Sequence, residues 1–209
     1  MTIKIANIFC VGRNYVNHAK ELHHAVPEKP LIFIKPSHAA VFMNNGSLSL
    51  PGDQGSVHYE AELVVHIGRD YAPGLSADAL IDAMALGIDF TLRDVQGGLQ
   101  EKGYPWLDAK GFLNSAALTD FLPFPGIDVC RNKDFSLQIN GKEVQRGNIR
   151  SMIFDLDKLI SYCTEHYGLE AGDILFTGTP VGVGPVFSGD SLALFWGEEE
   201  LGKCTIALS

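Results

Sequence analysis

Apolar and polar residues alternate over most of this chain in the short runs that strands make, and the 3.6-residue rhythm of helices is confined to a few places. Residues 3–11 and 31–35 read as apolar strands, the second stopped by Pro36. Residues 57–67 form a long strand pattern with Glu60 and Glu62 set into it, and residues 86–91 form another that carries Asp89. Short helices are expected over 14–22 and 76–83, the second with Ser76 as N-cap and Asp78 in its first turn. Asn140-Gly141 joins two strand-like runs, 135–140 and 142–146, and predicts a hairpin on a two-residue turn. The clearest helix spans 155–167: Ile153, Leu156, Leu159, Ile160 and Cys163 fall near helical spacing and Gly168 ends the pattern. Strands and turns alternate in the tail, at 173–177, 190–195 and 203–208. Helices this few and scattered predict an α+β domain on a mixed sheet, not a doubly wound nucleotide fold. No repeat or linker divides the chain, so residues 1–209 are expected to form one domain.

Composition narrows the function more than the fold. At 209 residues and 46% hydrophobic, the chain can bury a real core without staples. Sixteen basic against 25 acidic residues give a net charge of −9, and no stretch is rich in Lys and Arg, so a nucleic-acid partner is excluded. No apolar run approaches the ~20 residues of a membrane helix. Residues 1–10 lack a secretory signal pattern, and a cytoplasmic protein is expected. Cys10, Cys130, Cys163 and Cys204 stand far apart among apolar neighbours and read as buried free thiols.

Three acidic residues carry the chemistry. Side chains alternate along a strand, so Glu60 and Glu62 share a face, and two like charges there need a compensating cation or a solvated side. Asp89, alone in an apolar strand, adds a third carboxylate; salt bridges to Arg93 or Arg69 are its structural alternative. Together the three suit Mg²⁺ or Mn²⁺, whereas zinc is disfavoured because no His or Cys lies among them at ligand spacing. On a helix, His18 and Glu21 would be adjacent, and a carboxylate on imidazole is the arrangement of a general base acting on water. Lys110 could supply the cation for an anionic substrate or a developing enolate. The turn 178–185 lacks nucleotide-binding order, but its backbone N–H groups and the Thr179 hydroxyl could hold a carboxylate.

These segments recur in one order: Gly12-Arg13-Asn14-Tyr15 with His18 and Glu21, Phe33-Ile34-Lys35-Pro36-Ser37, His58-Tyr59-Glu60-Ala61-Glu62-Leu63, 89–96, Lys110-Gly111-Phe112 and 172–180. The chain resembles the fumarylacetoacetate hydrolase family, in its short acylpyruvate hydrolase branch, over nearly its whole length. The resemblance implies a mixed β-roll or β-sandwich with a few short helices, a homodimer, and a lid within the first ~50 residues. It implies Glu60, Glu62 and Asp89 as ligands of Mg²⁺ or Mn²⁺. It also implies His18 and Glu21 as the water-activating dyad, Lys110 as the active-site lysine, and Arg13, Gln96 and Thr179 as substrate contacts, with Arg93 supporting Asp89 and the site. The expected activity is hydrolysis of the carbon–carbon bond of an acylpyruvate, a small anionic 2-oxo acid, to pyruvate and a carboxylic acid. Oxaloacetate decarboxylation or keto–enol isomerisation is the second reading, and a non-catalytic binding protein the third. Segment 113–117 lacks the Asp or Thr and the Pro-containing turn that many relatives carry, a difference expected to bear on pocket shape and not on metal ligation.

Overall fold

The computed structural model describes residues 3–16, 27–72 and 74–209. Among them the strands form three sheets. The largest runs Leu31–Lys35, Ile8–Gly12, Ile174–Phe176, Ala61–Ile67, Ile81–Asp89, Ala116–Leu118 and Ala40–Phe42, with Leu122–Pro123 also pairing on Ile81–Asp89. A five-stranded sheet runs Lys142–Gly147, Phe135–Ile139, Ser191–Trp196, Glu199–Leu208 and Asn44–Leu50. The third is small: Gly184–Pro185, Val57–Tyr59 and Thr91–Leu92. Parallel and antiparallel pairs are mixed, and the helices are few and short, so the α+β expectation holds. No helix among the described residues is long and apolar enough to cross a membrane.

Strand alternation sets which side of the large sheet each residue serves. In Ala61–Ile67 the residues Ala61, Leu63, Val65 and Ile67 join the main core beneath the five-stranded sheet, whereas Val64 joins a smaller cluster on the opposite face. That second face also holds Cys10, Ala85 and Phe176, and by the same alternation it receives Glu62 and Asp89.

Several expected boundaries move. The strand expected over 3–11 starts at Ile8, because the preceding residues bond to a turn: Ala6 N donates to Gly172 O at 2.9 Å and Asn7 N to Asp173 Oδ1 at 3.1 Å. The strand expected over 57–67 breaks at Glu60, its first part joining the small sheet and its second the large one. The strand expected over 86–91 begins five residues earlier, and the helix before it is cut to Ala77–Leu80. Ile81 pairs with Ile67 and Ala83 with His66, and this ladder overrides local helix preference. Ser76 sits at the N-cap, but the side chain that accepts from Ala77 N is Asp157, at 2.7 Å. Of the helix expected over 14–22, residues 17–22 lie outside the described residues.

The hairpin and the main helix are as expected. Asn140 and Gly141 both take positive φ, 52° and 79°, as a type I′ turn requires. The helix Leu156–Tyr167 is capped by Asp155, whose carboxylate accepts from Lys158 N at 2.9 Å, and closes on Gly168 at φ 77°. All four cysteines are free and buried.

Candidate metal centre

Two strands change sheets side by side, and the carboxylates collect where they do. Glu60 fills the break between Val57–Tyr59 and Ala61–Ile67; Asp89 ends Ile81–Asp89, one residue before Thr91–Leu92 enters the small sheet. Asp89 N donates to Glu60 O at 2.9 Å, which locks the two corners together. Glu60, Glu62 and Asp89 are all buried, and each offers an oxygen within 4.8 Å of the others. Three hard oxygen donors this close, with no His or Cys in the group among the described residues, fit Mg²⁺ or Mn²⁺ better than zinc.

Among the described residues, three cations touch the group. Lys110 Nζ donates to Glu60 Oε2 at 2.8 Å, Asp89 Oδ2 at 2.6 Å and Thr91 Oγ1 at 2.6 Å. Lys35 Nζ lies 2.7 Å from Asp89 Oδ1 and also donates to the carbonyls of Phe90 and Lys110. Arg93 Nη2 donates to Glu60 Oε1 at 2.5 Å and Nη1 to Gln96 Oε1 at 2.7 Å. Of the expectation that Arg93 supports Asp89 and the site, the contact with Asp89 is corrected and the contact with the site is found: Arg93 opens the helix Arg93–Lys102 on the Glu60 side, and Asp89 is held by the two lysines.

Burial drives the Glu62 carboxyl well above its ordinary range, helped by Asp89 and Glu60, against the Gly178 amide and Lys110. Burial works to lower the Lys110 pKa, but Asp89 and Glu60 and the hydrogen bonds given to them outweigh it and hold the ammonium above the usual lysine value. Gly178 N donates to Glu62 Oε2 at 2.7 Å, so the glycine turn does hold a carboxylate, that of the protein itself. Its φ of 101° suits glycine, and a Cβ there would meet Asn14 Cβ at 2.7 Å. The Thr179 hydroxyl gives its proton to Ala61 O at 2.9 Å and accepts from Gln145 Nε2 at 2.9 Å.

A cavity of about 260 Å³ opens above the carboxylates. It is lined by Glu60, Glu62, Asp89 and Lys110, and by Arg13, Gln96 and Thr179, so seven sequence-predicted residues meet at one place. His18 and Glu21 lie outside the described residues. Arg13 takes φ 60°, uncommon for a side-chain-bearing residue, and burial lowers its pKa. Phe33 and Trp106, ring centroids 5.7 Å apart, form an apolar wall, and Gln100 adds an amide. Segment 113–117 does not line the cavity but braces it from behind. Ser115 Oγ donates to Lys110 O at 2.7 Å, Phe90 N donates to Ser115 O at 2.9 Å, and Ala116 pairs with Asp89.

The sequence reading missed Lys35, Thr91, Trp106, Gln100 and Gln145. For Lys35 a signal existed: a lone charge closing the apolar run Leu31–Lys35, the same signal that exposes Asp89.

The family profile for fumarylacetoacetate (FAA) hydrolase, C-terminal, matches residues 7–205. The chain belongs to the fumarylacetoacetate hydrolase family. Within that family it is 42% identical over 195 residues to oxaloacetate tautomerase YcgM of Escherichia coli (strain K12), covering 91% of this chain and 88% of the relative. It is 40% identical over 189 residues to a mitochondrial oxaloacetate tautomerase of Bos taurus, covering 89% and 85%. Its fold matches the crystal structure of fumarylpyruvate hydrolase from Pseudomonas aeruginosa in complex with Mn²⁺ and pyruvate, with a TM-score of 0.91 at 33% identity, covering 100% and 92%. The β-rich fumarylacetoacetate hydrolase fold and an enzymatic family are thus as the motifs implied.

Proposed function

We propose that this protein is a divalent-metal-dependent enzyme that interconverts the keto and enol forms of oxaloacetate or a close 2-oxo dicarboxylic acid. The carrying observation is charge balance beneath a cation-rimmed cavity. Among the described residues, Glu60, Glu62 and Asp89 face Lys35, Lys110 and Arg93, three against three. A bound divalent ion leaves the group positive by two, with Arg13 at the rim, which complements a dianion. The E. coli and Bos taurus relatives, both oxaloacetate tautomerases by name, support the same substrate class.

Glu60, Glu62 and Asp89 would hold the ion, Mg²⁺ or Mn²⁺, which when bound polarises a 2-oxo group and stabilises enolate charge. The chain supplies the rest. Arg13 and the Gln96 amide line the cavity and can orient a carboxylate. Lys110 keeps its proton at Nζ, in the place where a cation steadies charge growing on the substrate oxygen. Phe33 and Trp106 exclude water from one side.

Hydrolysis of an acylpyruvate is the second reading, favoured by the likeness to the P. aeruginosa fumarylpyruvate hydrolase and by His18 and Glu21 in the sequence. Hydrolysis needs an activated water; tautomerisation does not. The deciding experiment follows the ultraviolet absorbance of enol oxaloacetate with protein and Mn²⁺, against Mn²⁺ alone and against excess EDTA. Acceleration over Mn²⁺ alone, lost with EDTA and in Glu62→Gln, is expected. No acceleration by folded, Mn²⁺-loaded protein overturns the proposal, and faster conversion of acetylpyruvate to pyruvate and acetate moves the function to the second reading.

A further inference from the structure

Glu60 and Glu62 flank Ala61, and the N–H and C=O of Ala61, one in each of the two peptide units that join it to the glutamates, are both held from outside the strand. Ala61 N donates to Gln145 Oε1 at 2.9 Å, and Ala61 O accepts from Thr179 Oγ1 at 2.9 Å. Gln145 Nε2 closes the ring by donating to Thr179 Oγ1 at 2.9 Å and to Pro180 O at 3.0 Å. Every hydrogen-bonding atom of the Gln145 amide is engaged, and the residue is only 2% exposed.

Gln145 reaches this position through a bulge. It belongs to the outer strand Lys142–Gly147 of the five-stranded sheet, where Leu137 pairs with Gln145 but Gln138 pairs with Glu143, leaving Val144 as an extra residue. Bulges beside functional sites re-aim side chains, and this one turns Gln145 inward between half-buried Val144 and exposed Arg146. Gly182, at φ 103°, lets the glycine turn lie against the bulge, since a Cβ there would meet Val144 O at 2.5 Å.

We propose that Gln145 is a positioning residue for the metal centre. It fixes the Ala61 backbone N–H where the chain changes sheets and turns the Thr179 hydroxyl onto the Ala61 carbonyl, so that both flanking glutamates face Asp89. This rests on the metal-dependent function proposed above. Gln145 touches neither the carboxylates nor the cavity, so its effect belongs to metal affinity before any substrate is present.

The test is Mn²⁺ binding to the metal-free full chain by isothermal titration calorimetry, alongside thermal unfolding. Gln145→Leu should weaken Mn²⁺ binding by about 10–100-fold, the range for partners that orient metal ligands. Leu159→Ala, in the remote helix Leu156–Tyr167, should lower the melting temperature and leave the Mn²⁺ affinity unchanged. Should Gln145→Leu not fold, Thr179 decides: Thr179→Ser keeps the bridging hydroxyl and the affinity, and Thr179→Val loses both. Gln145→Leu or Thr179→Val binding Mn²⁺ as tightly as the parent overturns the positioning role alone. A folded parent that takes up no Mn²⁺ overturns the proposed function, and this inference with it.

Discussion

Lys35 shows what a single buried charge does here. Its side chain is fully enclosed, and it braces Asp89 from the side opposite Lys110 while donating to the Phe90 and Lys110 carbonyls. Removing one partner of such a pair leaves the other charged and buried, so Lys35→Met should cost about 3–5 kcal/mol in urea unfolding; an unchanged midpoint would refute the pairing. The cysteines make a second prediction. Burial pushes the thiols of Cys130 and Cys163 up to about 12 and that of Cys204 up to about 11, and raises Cys10 as well. The thiolate is the reactive form, so at about pH 8 the native protein should leave all four untouched by a thiol reagent, and denaturant should release all four. The three carboxylates are legible in sequence because a charge inside an apolar run demands a partner, and Lys110 is legible through the family motif Lys110-Gly111-Phe112. Gln145 is not, since a neutral amide on a hairpin that is otherwise largely polar is what any exposed strand carries.

Elements were legible in proportion to how local their determinants are. The Asn140-Gly141 turn and the capped helix Leu156–Tyr167 follow from backbone preference and 3.6-residue spacing. The helix Arg93–Lys102 escaped notice because Gly97 and Gly98 interrupt it and Gln96 is its one buried residue, so it has no apolar stripe to read. It forms on tertiary support: Asp94 Oδ2 accepts from Ser56 N at 2.8 Å, and Arg93 is tied to Glu60. The strand Ile81–Asp89 carries a test of its own. Gly87 lies opposite Glu62, and a Cβ there would meet Phe176 Cε1 at 2.6 Å and Val64 Cγ2 at 2.8 Å. Gly87→Val should cost about 1–3 kcal/mol by overpacking. It should also weaken Mn²⁺ binding by forcing Ala61–Ile67 and Ile81–Asp89 apart, read by calorimetry on the same sample; parental stability would contradict the close contact.

At the scale of the molecule, the site is a seam between sheets, and a ligand of the seam is a ligand of the fold. A metal bound only by the folded chain at 100 times its Kd adds about 2.7 kcal/mol. Saturating Mn²⁺ should therefore raise the melting temperature, EDTA should reverse the rise, and Glu62→Gln should abolish it; an unmoved melting temperature would mean that the carboxylates hold no ion. The sequence alone determined the chemical inventory: buried acids in strands, a lysine beside them, a hairpin, a helix, and the ordered motifs of a family. These are properties of single residues and of short periods, set by side-chain polarity and by allowed φ and ψ. Only the tertiary structure decided how the inventory is wired. It broke one strand pattern at Glu60, gave Asp89 to Lys35 and Lys110 and not to Arg93, and brought Gln145 across from another sheet. Those choices depend on partners 21 to 116 positions apart and on peptide groups such as Gly178 N and Ala61 N, which every residue but proline carries and which therefore leave no mark in the sequence.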